Sequence, residues 1–179
     1  MDPILDFTGK TALITGAASG FGKLLAEELG KRGAALVLGD INMDALNTQA
    51  EALADQGVKV AALRCDVSSE ADCKAMVETA LAQFGHLDMA VNNAGIAATG
   101  QLSEAEDEDI ESVIDINAKG MLYMCRAAIP ELAKSEIAGG ASIVNTSSVS
   151  GSGGDWTMPI YNASKGAGPN LTRGLALQL

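Results

Sequence analysis

The sequence is poor in aromatic residues, in basic charge and in imidazole. Phe, Trp and Tyr make up 3% of its 179 residues, and 12 Lys+Arg stand against 23 Asp+Glu, a formal net charge of −11. Such a chain lacks the basic face that a nucleic acid or an anionic membrane surface demands, so neither is expected as a partner. A cofactor phosphate would have to be held by backbone N–H groups, not by a lysine cluster. One histidine, His86, and three cysteines without close spacing, Cys65, Cys73 and Cys125, supply no ligand set, so no metal is expected. The odd cysteine count closes no disulfide framework, and the thiols read as small buried hydrophobes. His86, just past a helix-ending glycine, reads as a surface residue. No apolar run approaches the ~18 residues of a membrane span. The opening MDPILDFTGK carries acids where a signal peptide needs basic residues. A cytoplasmic protein is the expectation.

What the chain does have is 47% hydrophobic residues, mostly Ala, Leu, Val and Ile, and 20 glycines that permit close packing of small side chains. Its length suits one domain over residues 1–179. Short apolar runs at 10–15, 35–40, 58–65, 87–93 and 141–148 predict strands. Stretches of helical spacing at about 20–32, 43–56, 69–84, 104–133 and 158–179 predict helices, with Gly33, Gly57 and Gly85 as stops. Strands separated by long helices imply right-handed crossovers and a parallel sheet buried on both faces, an α/β fold. The acidic 103–112 segment reads as a solvated helix start.

Between the first strand and the first helix, TGAASGFG places Gly16, Gly20 and Gly22 in a GxxxGxG loop. Glycines there allow a tight turn, backbone approach to a pyrophosphate and close helix–strand contact, and the helix N-terminus offers free N–H groups. Asp40 ends the second strand, eighteen residues beyond Gly22. A carboxylate there can accept from the adenosine ribose hydroxyls and repels a 2′-phosphate, which favours NAD over NADP. The alternatives are a glycine-rich turn without a ligand, and a turn aspartate before Ile41.

The loop TGAASGFG (15–22), CDV (65–67), NNAG (92–95), Asn117 in DIN, the serine pair 147–148 and YNASK (161–165) occur in an order that resembles the short-chain dehydrogenases/reductases. The resemblance covers the chain from Gly9 to Leu179. It implies a Rossmann-type doubly wound sheet of order 3-2-1-4-5, with the family's last strands missing, so that the fifth strand becomes an edge. It implies cofactor contacts from Gly16, Ser19, Gly20, Phe21, Gly22, Asp40, Asp66 (to the adenine amino group, backed by Val67), and Asn92, Asn93, Ala94 and Gly95. Asn117 would kink the long fourth helix and hold a water, Ser148 would orient a substrate carbonyl, Tyr161 would be the acid/base, and Lys165 would hold the nicotinamide ribose. The substrate would be a small secondary alcohol or ketone, and a homo-oligomer, dimer or tetramer, would be usual.

The residues themselves agree with this chemistry. Tyr161 and Lys165 are one helical turn apart and share a face. A free phenol titrates near about 10, and an ammonium beside it favours the phenolate. Ser147 reads as a strand-end hydroxyl bonding backbone, whereas Ser148 stands thirteen residues before Tyr161, the family's usual spacing. Trp156 and Met158 lie between Ser148 and Tyr161, either against substrate or merely packed. Gly168 and Pro169 depart from the family pattern. Proline inside a helix deletes an N–H and crowds the carbonyl four residues back, at about 3 kcal/mol or more, so a kink or break is expected near 166–169. Two readings follow: an NAD-dependent alcohol/carbonyl oxidoreductase, or a catalytically weak nucleotide-binding remnant of the same family.

Overall fold

Five apolar runs become parallel strands, the inner ones with a helix layer on either face, while the last lies at an edge where Val144 is 51% exposed. In the computed structural model, which describes residues 5–179, they are β1 (Thr11–Thr15), β2 (Ala35–Asp40), β3 (Val60–Arg64), β4 (Met89–Asn92) and β5 (Ser142–Asn145). Residues 1–4 of the acidic opening segment lie outside the described residues. The sheet order is β3-β2-β1-β4-β5, all pairs parallel, as the family resemblance implies. The order reverses beside β1, which opens a crevice at the carboxyl ends of β1 and β4.

Alternate residues of the inner strands point to opposite layers. Leu13 and Val37 join Met76, Val77, Leu87 and Met124 on one face, under α3 (Glu70–Phe84) and α5 (Gly120–Leu132). Ile14, Leu36 and Leu38 join Ala26, Leu46 and Leu53 on the other, under α1 (Gly20–Lys31) and α2 (Met43–Asp55). Each such leucine contributes about 1.5–3 kcal/mol by burial. The helices begin where capping residues stand: Asn42 accepts from Ala45 N–H at 3.2 Å, and Ser69 from Asp72 N–H at 3.3 Å. All three cysteines are free and buried.

Two helices differ from expectation. The stretch foreseen as one helix over 104–133 is α4 (Asp107–Ile114), a π-helical turn at Asp115–Lys119, and α5. The widened turn holds Asn117, whose buried amide bonds the backbone of Ile96 twice, and single π turns of this kind concentrate at functional positions. The Gly/Ser-rich segment after Ser148 forms a short helix, α6 (Ser150–Gly153). The break expected near 166–169 is absent: α7 runs from Pro159 to Gln178 through Gly168 and Pro169. The carbonyl of Lys165, which Pro169 leaves without its helical donor, accepts instead from Ser147 Oγ at 2.9 Å. A neutral hydrogen bond of this kind offsets part of the proline's cost.

At the amino end of the sheet, Asp88 is 1% exposed and ties three segments together. Its Oδ2 accepts from Thr11 N–H at 2.8 Å and its Oδ1 from Ser135 Oγ at 2.6 Å. His86 is a surface residue as expected, and it also lies 3.2 Å from the same carboxylate. Asp88→Ala leaves buried donors unpaired and should cost about 1–3 kcal/mol, read as a lower urea midpoint with unchanged m-value.

Candidate active site

Parallel pairing sends every strand's carboxyl end to one edge, and the sequence motifs converge there. The glycine loop leaves β1 at Gly16, whose φ of 65° is left-handed. A Cβ at Gly22 would collide with Gly16 O and lie 2.6 Å from Asn93 Nδ2, so only glycine lets the loop fold back on α1. At Gly20, φ is 52° and a Cβ would meet nothing within 4 Å, which leaves the start of α1 open to an approaching group. Ser19 caps α1 without using its hydroxyl on the helix, and Phe21 is 81% exposed beside it. Asp40 Oδ2 accepts from Ala18 N–H at 2.9 Å and Oδ1 from Asn42 N–H at 3.0 Å, so this carboxylate braces the loop and still has lone pairs for a further donor.

Asn93 holds the loop from β4. Its Nδ2 donates to Thr15 O and Gly16 O, both at 3.1 Å, while its own N–H and that of Ala94 donate to Thr15 Oγ1 at 3.0 and 3.1 Å. Thr15 was not singled out from the sequence, although a hydroxyl at the last buried position of a strand is a signal that it caps a neighbouring turn. Asn92 faces the sheet instead: it is paired in register with Asn145 and donates to Asn145 Oδ1 at 2.8 Å. Asp66 accepts from both Ser68 N–H (3.0 Å) and Ser68 Oγ (2.6 Å) through Oδ1. Val67 is buried in the core and packs against Gly120.

The other wall is α7. Lys165 is 4% exposed, and its Nζ donates to Thr146 O at 2.9 Å and stands 5.8 Å from the Tyr161 ring centroid. A Cβ on Gly95 would lie 3.2 Å from that Nζ and 3.0 Å from Asn117 Oδ1, so Gly95, Asn117 and Lys165 meet. Asn117 Nδ2 also donates to Ser164 Oγ at 2.9 Å, and Ser164 Oγ donates to Tyr161 O at 2.8 Å. Ser164 and Ile96, both missed in the sequence, thus connect the π turn to the helix carrying Tyr161. Ser148 Oγ accepts from Ser150 N–H at 3.2 Å and its residue remains partly exposed, whereas Ser147 is committed to Lys165 O. Trp156 is 92% exposed and packs on little, while Met158 is partly buried. Among the described residues, no three metal-ligating side chains cluster, and no helix is long and apolar enough to cross a membrane.

These elements bring the glycine loop and a Tyr/Lys pair to one edge of the sheet, and similarity to known proteins identifies the class. The sequence profile described as short chain dehydrogenase matches residues 10–179. The chain belongs to the short-chain dehydrogenase/reductase family. It is 36% identical over 174 residues to a CLA biosynthesis dehydrogenase/reductase of Lactiplantibacillus plantarum, covering 97% of this chain and 60% of the relative. It is 38% identical over 175 residues to a cyclohexanol dehydrogenase of an Acinetobacter species, covering 96% and 68%. A crystal structure of a family member from Burkholderia phymatum in complex with NAD superposes with a TM-score of 0.93 at 40% identity, over 97% of this chain and 61% of that one. The chain thus spans about three fifths to two thirds of the length of these relatives.

Burial holds the Lys165 ammonium below its ordinary value of 10.5. The unfolded chain therefore binds more protons between the folded value and 10.5, and stability contributed at this site rises with pH through that window. Below the window the charged form carries its full desolvation cost. Lys165→Met should consequently be more stable than the parent at pH 7, with the difference shrinking as pH climbs toward 10.5, measured by urea unfolding of both proteins across that range.

Proposed function

We propose that the chain is a single-domain NAD-dependent oxidoreductase, cytoplasmic and homo-oligomeric, that moves a hydride between a nicotinamide dinucleotide and a small secondary alcohol or ketone. The observation that carries this reading is the buried Lys165, fixed one turn from Tyr161 and next to Gly95, on the same sheet edge as an open glycine loop. A free ammonium is costly to bury, and its retention at a crevice is characteristic of a working group. The residues fit a dinucleotide: Gly16, Gly20 and Gly22 with Ser19 and Phe21 would take the pyrophosphate, Asp40 the adenosine ribose and Asp66 the adenine. Asn93, Ala94 and Gly95 would line the path to Lys165.

When bound, the nicotinamide accepts or supplies the hydride. Tyr161 takes the hydroxyl proton of an alcohol or returns it to a forming alkoxide. Ser148 donates to the same oxygen, placing a dipole where charge develops. Lys165 holds the nicotinamide ribose and keeps positive charge beside the phenol. Asn117 steadies Ser164 and the first turn of α7, and Trp156 and Met158 lie where a substrate could be covered. The Asp40 charge opposes a 2′-phosphate, which favours NAD over NADP.

Oxidation of a panel of secondary alcohols with NAD tests the reading. Tyr161→Phe should lower kcat by about 10²–10⁴-fold while leaving NADH affinity near the parent value. Asp40→Asn should raise the NADP/NAD ratio of kcat/KM by roughly tenfold or more, since a like-charge clash is removed. NADH binding without turnover in the parent protein would instead identify a nucleotide-binding module.

A further inference from the structure

Pro169 sits inside α7, four residues after Lys165, and has no N–H to give to the Lys165 carbonyl. That carbonyl is not left to water. Lys165 is almost fully buried, and the backbone of Gly151 lies against it so closely that a Cβ there would be 2.6 Å from both its carbon and its oxygen. Ser147 Oγ supplies the missing donor at 2.9 Å. The preceding residue holds the other end of the same side chain, since Thr146 O accepts from Lys165 Nζ at 2.9 Å. Two consecutive residues at the end of β5 therefore grip one lysine by its main chain and by its ammonium.

We propose that Ser147 is a positioning residue, paired with Pro169, that fixes where the Lys165 ammonium stands in the crevice; this rests on reading Lys165 as the group that holds the nicotinamide ribose. Without the hydroxyl, the orphaned carbonyl turns to find a donor, the α7 turn around Lys165 rotates, and Nζ leaves its place beside Gly95. With an ordinary residue at 169, the helix supplies its own N–H and the hydroxyl becomes dispensable. Ser147 and Pro169 are thus expected to be energetically coupled.

A double-mutant cycle tests this with the parent, Ser147→Ala, Pro169→Ala and the double variant, read by thermal unfolding of the protein alone and by fluorescence titration with NADH. Ser147→Ala should lower the unfolding midpoint by about 2–8 °C, the cost of one unsatisfied buried acceptor in a chain of this size. It should also weaken NADH binding. In the Pro169→Ala background both effects should largely vanish. Asp88→Ala, which destabilises from the opposite end of the sheet, should leave NADH affinity as in the parent, so that a loss in Ser147→Ala reports position and not general softening. Equal Ser147→Ala effects with and without Pro169 would overturn the pairing, and an equal affinity loss in Asp88→Ala would overturn the positioning role. Should the parent and Pro169→Ala both fail to bind NADH, the functional reading falls, and the positioning role with it, while the thermal cycle still decides whether Ser147 and Pro169 compensate.

Discussion

Burial leaves both an ammonium and a carbonyl in need of partners inside the protein, and the site is organised around supplying them to Lys165. Its Nζ reaches Thr146 O, and its carbonyl is held by Ser147 Oγ. That double grip locks α7 onto the end of β5, which sets where Tyr161 stands, because the two residues are on one rigid turn. Asn117 joins from the other side through Ser164, and through Ile96 it draws the segment after β4 to the same point. Replacing the ammonium with an apolar group would ease the desolvation cost and keep much of the packing. The charge is retained at a cost in stability, which is the pattern expected where a group is kept for its chemistry.

On the opposite side of the crevice the organising residue is Asn93. One carboxamide and two backbone N–H groups, working with the Thr15 hydroxyl and carbonyl, bind β4 to the glycine loop. The protein's own bonds therefore shape the loop, and the start of α1 beside Gly20 is exposed. This suits a protein of net charge −11. On the proposed reading, a cofactor phosphate would be met on this acidic surface by helix-end N–H groups and their dipoles, with no basic side chain required.

The architecture was legible because its causes are local. Apolar runs such as Thr11–Thr15 and Ala35–Asp40 bounded by glycine and helical spacing leave little choice but parallel crossovers, and the order of motifs from the loop to YNASK fixes the sheet order through the family resemblance. That the loop glycines, Asp40, Tyr161 and Lys165 gather at one edge of the sheet was likewise readable from the order of the motifs. What was not readable depends on long-range pairing. Pro169 looked like a helix breaker because sequence alone does not disclose a hydroxyl twenty-two residues upstream aimed at the carbonyl it orphans. A kink at Asn117 was implied by the resemblance, but its form as a π turn was not, because the partner, Ile96, comes from another segment. His86 joined a buried carboxylate that no spacing rule pairs with it.

The distribution of irregularities carries its own argument. At the amino end of the sheet the chain obeys local rules: Asp88 is fully paired, strands enter in register and buried groups are apolar or satisfied. Left-handed glycines occur at both ends, at 16 and 20 after β1 and at 9, 33, 57 and 85 ahead of strands, but the carboxyl end also holds a π turn at Asp115–Lys119, a buried lysine, and glycine followed by proline inside a helix. The buried lysine and the helical proline cost stability, on the order of 1–3 kcal/mol where desolvation or a lost helical bond is uncompensated. At Lys165 these costs meet specific bonds, from Ser147 Oγ to its carbonyl and from its own ammonium to Thr146 O, so they are concentrated on the turn that carries Tyr161.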